Sequence, residues 1–409
     1  MTTVINKIVQ ISSEQGIITL ILRGFIRIED IILDNIYKFQ KIQENLIIFY
    51  SYPDYSDNSR VLFEHMVHEG YNEKYILVWI VENPDLYKKY KEKNILFIKR
   101  YSPTSIIRRY GAYHRRAHWI FSTHGTPFPK KKKNSQIMIN LHHGGMGFKT
   151  NKGGDKRSLD DYILVSGESN ICRLVAKKFH SCTDEQILAV GLPRNDLLFK
   201  YRNIQFLDAC NGKKILWMPT FRNTTAKHFE DDTLGFSETG LPILYTLDDL
   251  KEVNQKLSSL NIHLFIKVHP MQDLSKIKVG KLSNIHTITN SDLTENDIQL
   301  YEILNHFNAL ITDYSSVSFD YLVLNRPIGY TLDDYDDYNR SREFPMDNPL
   351  DYMPGHHMYT KQDLLNFISD VSNNRDEYND ERKFVRKITG ILDSGNNCEK
   401  LLDYLNIRK

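Results

Sequence analysis

The sequence lacks the features that mark several large classes of protein. It has four cysteines in 409 residues, and no pair of them has C-x-x-C spacing, which argues against a disulfide framework. No apolar run approaches the roughly 18 to 20 residues that a membrane-spanning helix needs. The first residues, MTTVINKIVQ, also lack a basic region leading into a signal-like apolar core. We therefore expect a cytoplasmic chain with reduced cysteines.

An excess of charge of one sign is also missing. The 53 Lys and Arg residues nearly balance the 51 Asp and Glu residues, for a net charge of +2, so composition gives no case for a nucleic-acid partner. There is no G-x-G-x-x-G after the first predicted strand, no G-x-x-x-x-G-K-[ST] and no H-E-x-x-H. These absences argue against nicotinamide enzymes, P-loop nucleoside triphosphatases and zincins.

Short apolar runs alternate with amphipathic segments from about residue 45 onward. This pattern predicts an α/β protein with largely parallel strands buried on both faces. Two successive sets of such units predict two Rossmann-like domains of similar size that face each other across a cleft. The predicted strands are ENLIIFYS, KYILVWIV, KNILFIKR, HWIFST, QIMINL and DYILVSG in the first set, and KKILWMPT, IHLFIKVHP, ALITD and PIGYTL in the second.

The predicted domains are an N-terminal helical extension at 1–44, a first domain at 45–200, a second domain at 201–365 and C-terminal helices at 366–409. The extension has apolar residues at mixed three- and four-residue spacing, which favours a helix. It either packs on the first domain or meets a membrane surface. The basic run at 130–133 is either a solvated loop or a contact for anionic lipid or a polyanionic acceptor.

Ligands of open α/β sheets bind beyond the carboxyl ends of the strands, so the residues after each apolar run are candidates for chemistry. The segment HHGGMGFK follows QIMINL. Its glycines, including Gly144, permit close approach of a ligand, and Lys149 closes the segment. Histidine titrates near neutral pH, which makes His143 a candidate general base; a structural turn histidine is the alternative. His124 repeats the pattern more weakly.

Three further strand ends carry candidate phosphate ligands. MPTFRN places Pro219, Thr220 and Arg222 after a strand, where an arginine can grip phosphate with two hydrogen bonds. His269 follows the strand HLFIKV and could neutralise developing phosphate charge. Arg194, in GLPRND, is expected to organise the connection between the domains.

The segment ALITDYSSVSFD combines a strand, a hydroxyl-rich turn and an amphipathic helix. Ser315 and Ser316 would lie at the start of the helix, where free N–H groups favour a phosphate, although an ordinary N-cap is the alternative. The acidic run at 333–337 suggests a metal site only weakly, because it follows its strand in an apparently exposed loop.

In this order, HHGG…K, GLPRND, MPTFRN, KVHP and ITDYSSVSFDY resemble the CDP-glycerol glycerophosphotransferase family of bacterial teichoic acid and capsule synthesis. The resemblance covers roughly residues 45 to 370. It implies a two-domain GT-B fold, which agrees with the two α/β sets. His142 stands where the family has tryptophan, a departure beside the implied base.

The resemblance implies that His143 is the catalytic base and that His269 binds and stabilises the donor phosphates. The implied reaction transfers a polyol phosphate from CDP-glycerol, or CDP-ribitol, to a hydroxyl of a lipid-linked or oligomeric cell-surface polymer and releases CMP. No tightly bound cofactor is implied. Mg²⁺ is compatible with the implied reaction, although the sequence carries no motif of metal ligands that indicates it. The other donor-binding positions that it implies are Arg222, Thr312, Asp313, Ser315, Ser316 and Asp320.

The absence of a membrane-spanning run, set against such acceptors, suggests peripheral attachment to the inner face of the bacterial membrane. Two other functions stay open at this point. A sugar-nucleotide glycosyltransferase can use the same fold, because fold alone does not fix chemistry. A noncatalytic scaffold could retain the nucleotide cleft.

Overall fold

The computed structural model describes residues 28, 31–32, 35–36, 41–90, 92–100, 109–124, 135–150, 158–220, 238–267, 282–392 and 394–409. The chain divides into two compact units. The first contains Met1–Asn140, Leu159–Asp161 and Arg408–Lys409, and the second contains Leu141–Ser158 and Tyr162–Ile407. The glycine-rich segment that follows residue 140 therefore belongs to the second unit, although the sequence prediction grouped it with the strands before it.

The described part of the first unit contains five parallel strands in the order β3-β2-β1-β4-β5. Their apolar runs do not alternate with polar residues because helices and loops cover both faces of a parallel sheet. From residue 41 onward, the helices described in this unit are α1 (Asp57–His68) and α2 (Arg109–Arg116). The strands are β1 (Gln43–Tyr50), β2 (Ile76–Val81), β3 (Ile95–Lys99), β4 (Ala117–Ser122) and β5 (Ile137–Asn140).

The second unit contains a parallel pair, β6 (Tyr162–Leu164) and β7 (Ile187–Leu188), and a six-stranded sheet. The order β10-β9-β8-β11-β12-β13 places the first strand of this sheet at its centre, and every neighbouring pair is parallel. The strands are β8 (Lys213–Trp217), β9 (Ile262–Lys267), β10 (Ile285–Ile288), β11 (Ala309–Thr312), β12 (Ile328–Thr331) and β13 (His356–Met358).

The strand order of the six-stranded sheet reverses between β8 and β11. The chain runs outward from β8 to β10, then returns to the other side of β8. Such a reversal opens a crevice at the carboxyl ends of the two strands, which is the usual ligand position in doubly wound sheets. The fold therefore points to the residues after Trp217 and after Thr312.

In the described part of the second unit, helices lie between most successive strands, as predicted. Leu247–Ser259 begins with a capping box, in which Thr246 and Asp249 satisfy each other's backbone N–H groups. The helices are α3 (Asn170–His180), α4 (Gln205–Asp208), α5 (Leu247–Ser259), α6 (Asn290–Glu295), α7 (Leu300–Leu304), α8 (Val317–Tyr321), α9 (Tyr335–Arg342), α10 (Lys361–Ser372), α11 (Asn379–Thr389) and α12 (Asn397–Tyr404).

Most of the predicted N-terminal extension at 1–44 lies outside the described residues. Of it, Ile28, Ile31, Ile32, Asn35 and Ile36 are helical, and the four isoleucines are exposed. The basic run at 130–133 also lies outside the described residues. Within the described ranges, no helix has the length and apolar character to cross a bilayer.

Candidate active site

The glycine-rich turn after β5 presents one histidine and buries the other. His142 adopts a left-handed backbone with φ of 56°, and its side chain is buried. The next residue, His143, is exposed, as the role of a proton acceptor requires. Gly145 has φ of 57°, a conformation that glycine adopts without the steric cost of a Cβ. The turn thus separates a structural histidine from an accessible one.

The same turn packs against the start of α8. A Cβ placed on Gly144 would lie 3.8 Å from the Ser316 Oγ, and one on Gly147 would lie 3.3 Å from the Ser316 Cβ. At the end of the turn, the rings of Phe148 and Phe319 pack with centroids 4.8 Å apart. The segment of the candidate base and the hydroxyl-rich segment therefore meet within the second unit.

A buried arginine joins these two segments. Arg194 is 3% exposed and Asp320 is 1% exposed. The Arg194 Nη2 donates to an Asp320 carboxylate oxygen at 2.8 Å, and its Nη1 donates to the backbone carbonyl of His143. Its guanidinium also lies 4.5 Å from the centre of the Tyr301 ring. Arg194 therefore holds the backbone of the candidate base to α8.

Asp320 is satisfied by several donors. Besides Arg194, the Asn195 side-chain amide donates to it at 3.1 Å, and the Tyr301 hydroxyl donates to the oxygen that Arg194 contacts. These donors satisfy both oxygens of a carboxylate that is almost fully buried. The arrangement fits a carboxylate that positions the site.

The C-terminal helix α12 fixes the turn that carries Arg194. Both carboxylate oxygens of Asp196 accept backbone N–H groups at the start of α12, from Asn397 at 2.8 Å and Cys398 at 2.9 Å. The Asn397 side-chain amide donates to the carbonyl of Leu192 at 3.0 Å. This helix, from the C-terminal segment predicted as helical, thus braces the site within the second unit.

Ser315 and Ser316 are partly exposed at the start of α8. Ser316 occupies the N-cap position with helical φ of −61°, and its side chain makes no capping hydrogen bond. The Ser315 carbonyl instead accepts the Ser318 hydroxyl at 2.9 Å. The structure therefore does not use the Ser316 hydroxyl as an ordinary N-cap.

Asp313 fastens the ends of the two central strands at the reversal of strand order. One of its oxygens accepts both the backbone N–H of Thr220, at 2.8 Å, and the Thr220 hydroxyl, at 2.9 Å. The Thr312 hydroxyl donates to the Met218 carbonyl at 2.9 Å. Asp313 and Thr312 are fully buried, Pro219 is buried and Thr220 is half-buried. These residues lie at the base of the crevice, where β8 and β11 end.

One neighbour of the candidate base was missed by the sequence analysis. The ring of His180, at the end of α3, packs edge-on against the His142 ring with centroids 4.4 Å apart. Burial, with a smaller contribution from His143, lowers the pKa of His180 to about 4, so the ring is neutral at pH 7. The only sequence signal was a basic residue in the last turn of a helix, which is common at helix ends.

Two predicted site residues, Arg222 and His269, lie outside the described residues. Lys149 is described and exposed. The first carboxylates of the acidic run already have protein donors: Asp333 accepts the Tyr245 hydroxyl at 2.6 Å, and Asp334 accepts the Tyr314 hydroxyl at 3.0 Å. These hydrogen bonds indicate a structural role for the acidic run at 333–337.

Comparison with known proteins gives a family match. Residues 33–406 match the family described as CDP-Glycerol:Poly(glycerophosphate) glycerophosphotransferase. The teichoic acid glycerol-phosphate primase of Bacillus subtilis is 29% identical over 249 residues, which are 60% of this chain and 57% of that protein. The teichoic acid poly(glycerol phosphate) polymerase of Staphylococcus epidermidis is 26% identical over 348 residues, 78% of this chain and 44% of that protein. The chain thus spans about half the length of these curated relatives.

A solved structure of the wall teichoic acid polymerase TagF has a similar fold. It matches with a TM-score of 0.71 and 22% identity, over 97% of this chain and 96% of that chain. This likeness confirms the prediction of an α/β fold with two parallel-sheet domains.

Proposed function

The chain belongs to the CDP-glycerol:poly(glycerophosphate) glycerophosphotransferase family, and from this premise we propose that it transfers glycerol phosphate from CDP-glycerol to a hydroxyl of a teichoic acid or capsule polymer and releases CMP. The observation that carries the proposal is that the turn with the exposed His143 packs, through Gly144 and Gly147, against the start of α8, where Ser315 and Ser316 are partly exposed. A base beside candidate phosphate ligands is the arrangement that this transfer needs.

In the proposed step, His143 accepts the proton of the acceptor hydroxyl as that oxygen attacks the β-phosphorus in line. The bond from this phosphorus to the CMP oxygen breaks, so a phosphodiester forms and CMP leaves. General-base catalysis by a positioned side chain typically contributes about 10²- to 10⁴-fold. The remaining acceleration comes from positioning and from stabilisation of charge on the transferring group.

Ser315 and Ser316 are proposed to hold the donor phosphates, together with Arg222 and His269. The Ser316 side chain makes no capping hydrogen bond, so its hydroxyl can contact a ligand, which supports this assignment. Thr220 and Asp313 contribute through the crevice at the ends of β8 and β11. Arg194 and Asp320 contribute by positioning, since both are buried and paired.

The donor is proposed as CDP-glycerol, with CDP-ribitol as the alternative, because ribitol-phosphate primases and polymerases also match at 24% and 28% identity. One solved TagF structure is of a histidine-to-asparagine variant soaked with CDPG, which supports a CDP-alditol and a functional histidine here. We further propose a GT-B architecture for domains 45–200 and 201–365, a lipid-linked or oligomeric acceptor, and peripheral attachment to the inner membrane face.

The test is nucleotide release by the purified full chain, measured as CMP from CDP-glycerol or CDP-ribitol and as UDP from a UDP-sugar, each with and without a glycerol-phosphate-primed acceptor. Acceptor-dependent release from one CDP-alditol supports the proposal and identifies the unit. Turnover of the UDP-sugar alone would establish a glycosyltransferase. Donor binding without CMP release, with acceptor present, would establish a scaffold; either result overturns the proposal.

A further inference from the structure

Three potential metal ligands converge in the second unit, away from the candidate active site. Cys210 follows α4 just before β8, His263 is the second residue of β9, and His286 is the second residue of β10. Their ligand atoms all lie within 4.8 Å of one another, and each residue is half-buried. The candidate active site lies at the carboxyl ends of the strands, whereas these residues lie at or before the amino ends.

The spacing of the three atoms suits one tetrahedral ion. Zinc bonds of about 2.3 Å to sulfur and about 2.0 Å to nitrogen place two tetrahedral nitrogens about 3.3 Å apart and a sulfur and a nitrogen about 3.5 Å apart. In this protein the His263 Nδ1 and His286 Nε2 are 3.0 Å apart, and the Cys210 Sγ and His286 Nε2 are 3.9 Å apart. All three ligand atoms lie within 4.8 Å of one another, so shifts of up to about 1 Å would bring them onto one ion.

The surroundings already orient one of the imidazoles for a metal. The His263 Nε2 lies 3.1 Å from the carbonyl of Asn211, so this nitrogen carries the proton and Nδ1 offers its lone pair to the cluster. A ligand histidine usually donates its second ring N–H to such a partner.

We propose that Cys210, His263 and His286 bind a borderline divalent ion of the zinc class, with water as the fourth ligand. Thiolate and imidazole together select such ions over Mg²⁺, which prefers oxygen. Binding releases the Cys210 thiol proton, and the proton between the two imidazoles moves to the Nδ1 of His286, so that both rings bind as neutral ligands. The ion would tie the segment before β8 to the starts of β9 and β10, a structural role separate from phosphotransfer.

The cysteine makes the site testable by spectroscopy. The other three cysteines, Cys172, Cys182 and Cys398, are buried. A thiolate-to-cobalt charge-transfer band in the near ultraviolet would therefore report the half-buried Cys210. The full chain, without a histidine tag and stripped with EDTA, is titrated with Co²⁺ and then with Zn²⁺.

We expect one Co²⁺ per chain, visible d–d bands of tetrahedral intensity, the charge-transfer band, and loss of both signals when Zn²⁺ competes. Cys210→Ser should abolish the charge-transfer band. His286→Gln should weaken Co²⁺ binding by at least about tenfold, since even loss of an outer partner of a ligand costs that much. The control His68→Gln changes an exposed histidine of the first unit and should bind as the unaltered chain does.

A second readout does not depend on cobalt. Zn²⁺ should raise the thermal unfolding midpoint of the unaltered chain but not that of Cys210→Ser or His286→Gln, while CMP release by the folded variants stays unchanged. Co²⁺ bound without a charge-transfer band, or bound equally by the unaltered chain and both variants, would overturn the proposal.

Discussion

Replacing Arg194 by methionine separates its effect on stability from its effect on the reaction. The Arg194 and Asp320 side chains are 4% and 1% exposed, so the change leaves a buried carboxylate without its counter-ion. Removing one partner of a buried ion pair costs about 3–5 kcal/mol. The carbonyl of His143 also loses the donor that fixes it, and displacement of a reacting group by about 1 Å can cost about 100-fold in rate.

The assay combines urea unfolding with CMP release per folded molecule. Arg382→Met is the matched control, because Arg382 is equally buried but pairs with Asp376, far from the candidate base in sequence and contacts. Both variants should lose stability. Only Arg194→Met should lose turnover, by about 100-fold.

Asp320→Asn in the Arg194→Met background removes the unpaired charge. We expect the double variant to recover at least about 1 kcal/mol relative to additivity, as contacting residues do in double-mutant cycles. Turnover should stay low, since nothing restores the donor to the His143 carbonyl. Recovery of turnover together with stability would refute the positioning role of Arg194.

Gly145→Ala should lower the free energy of unfolding, measured by urea unfolding, by about 2–4 kcal/mol. The new Cβ is strained by the left-handed backbone and lies 2.8 Å from a methyl carbon of Leu192, which is too close. The control Gly70→Ala has a φ of 80° but nothing within 4 Å of the new Cβ, so it should cost only about 1–2 kcal/mol. The pKa of His180 is about 4 in the folded chain and about 6.5 in the unfolded chain, so the unfolded chain takes up the proton at a higher pH. The free energy of unfolding therefore falls as the pH drops below about 6.5. This group should cost up to about 2 kcal/mol between pH 6.5 and 5, and His180→Phe should remove that part of the slope; an unchanged slope would contradict the assignment. Asp313→Ala should raise the KM for the donor several-fold more than Thr220→Val does. The Asp313 variant loses the hydrogen bonds from both the N–H and the hydroxyl of Thr220, whereas the Thr220 variant loses only the second. Equal KM values in the two variants would contradict this role of Asp313.

The sequence predicted the strands that are continuous apolar runs. β1, β2 and β9 coincide with ENLIIFYS, KYILVWIV and HLFIKV, because burial on both faces leaves an uninterrupted signal. β10 and β13 were missed. Their sequences, IHTI and HHM, carry partly exposed polar residues, so no apolar run marks them.

The candidate site was predictable by segment but not by contact. The strand-end rule located His143, Thr220 and Ser316, and the structure brings the first and last of these segments together. No local pattern could pair Arg194 with Asp320, since 126 residues separate them and the pairing arises only from packing. The three proposed metal ligands were missed for the same reason.

The most direct test of the account measures what His143 does. His143→Ala is compared with the unaltered chain and with His68→Ala, whose histidine is 84% exposed in the first unit. CMP release and calorimetric donor affinity are measured on the same samples. The account predicts that His143→Ala loses about 10²- to 10⁴-fold in turnover with donor affinity within about twofold, while His68→Ala matches the unaltered chain. Near-normal turnover in His143→Ala would contradict it.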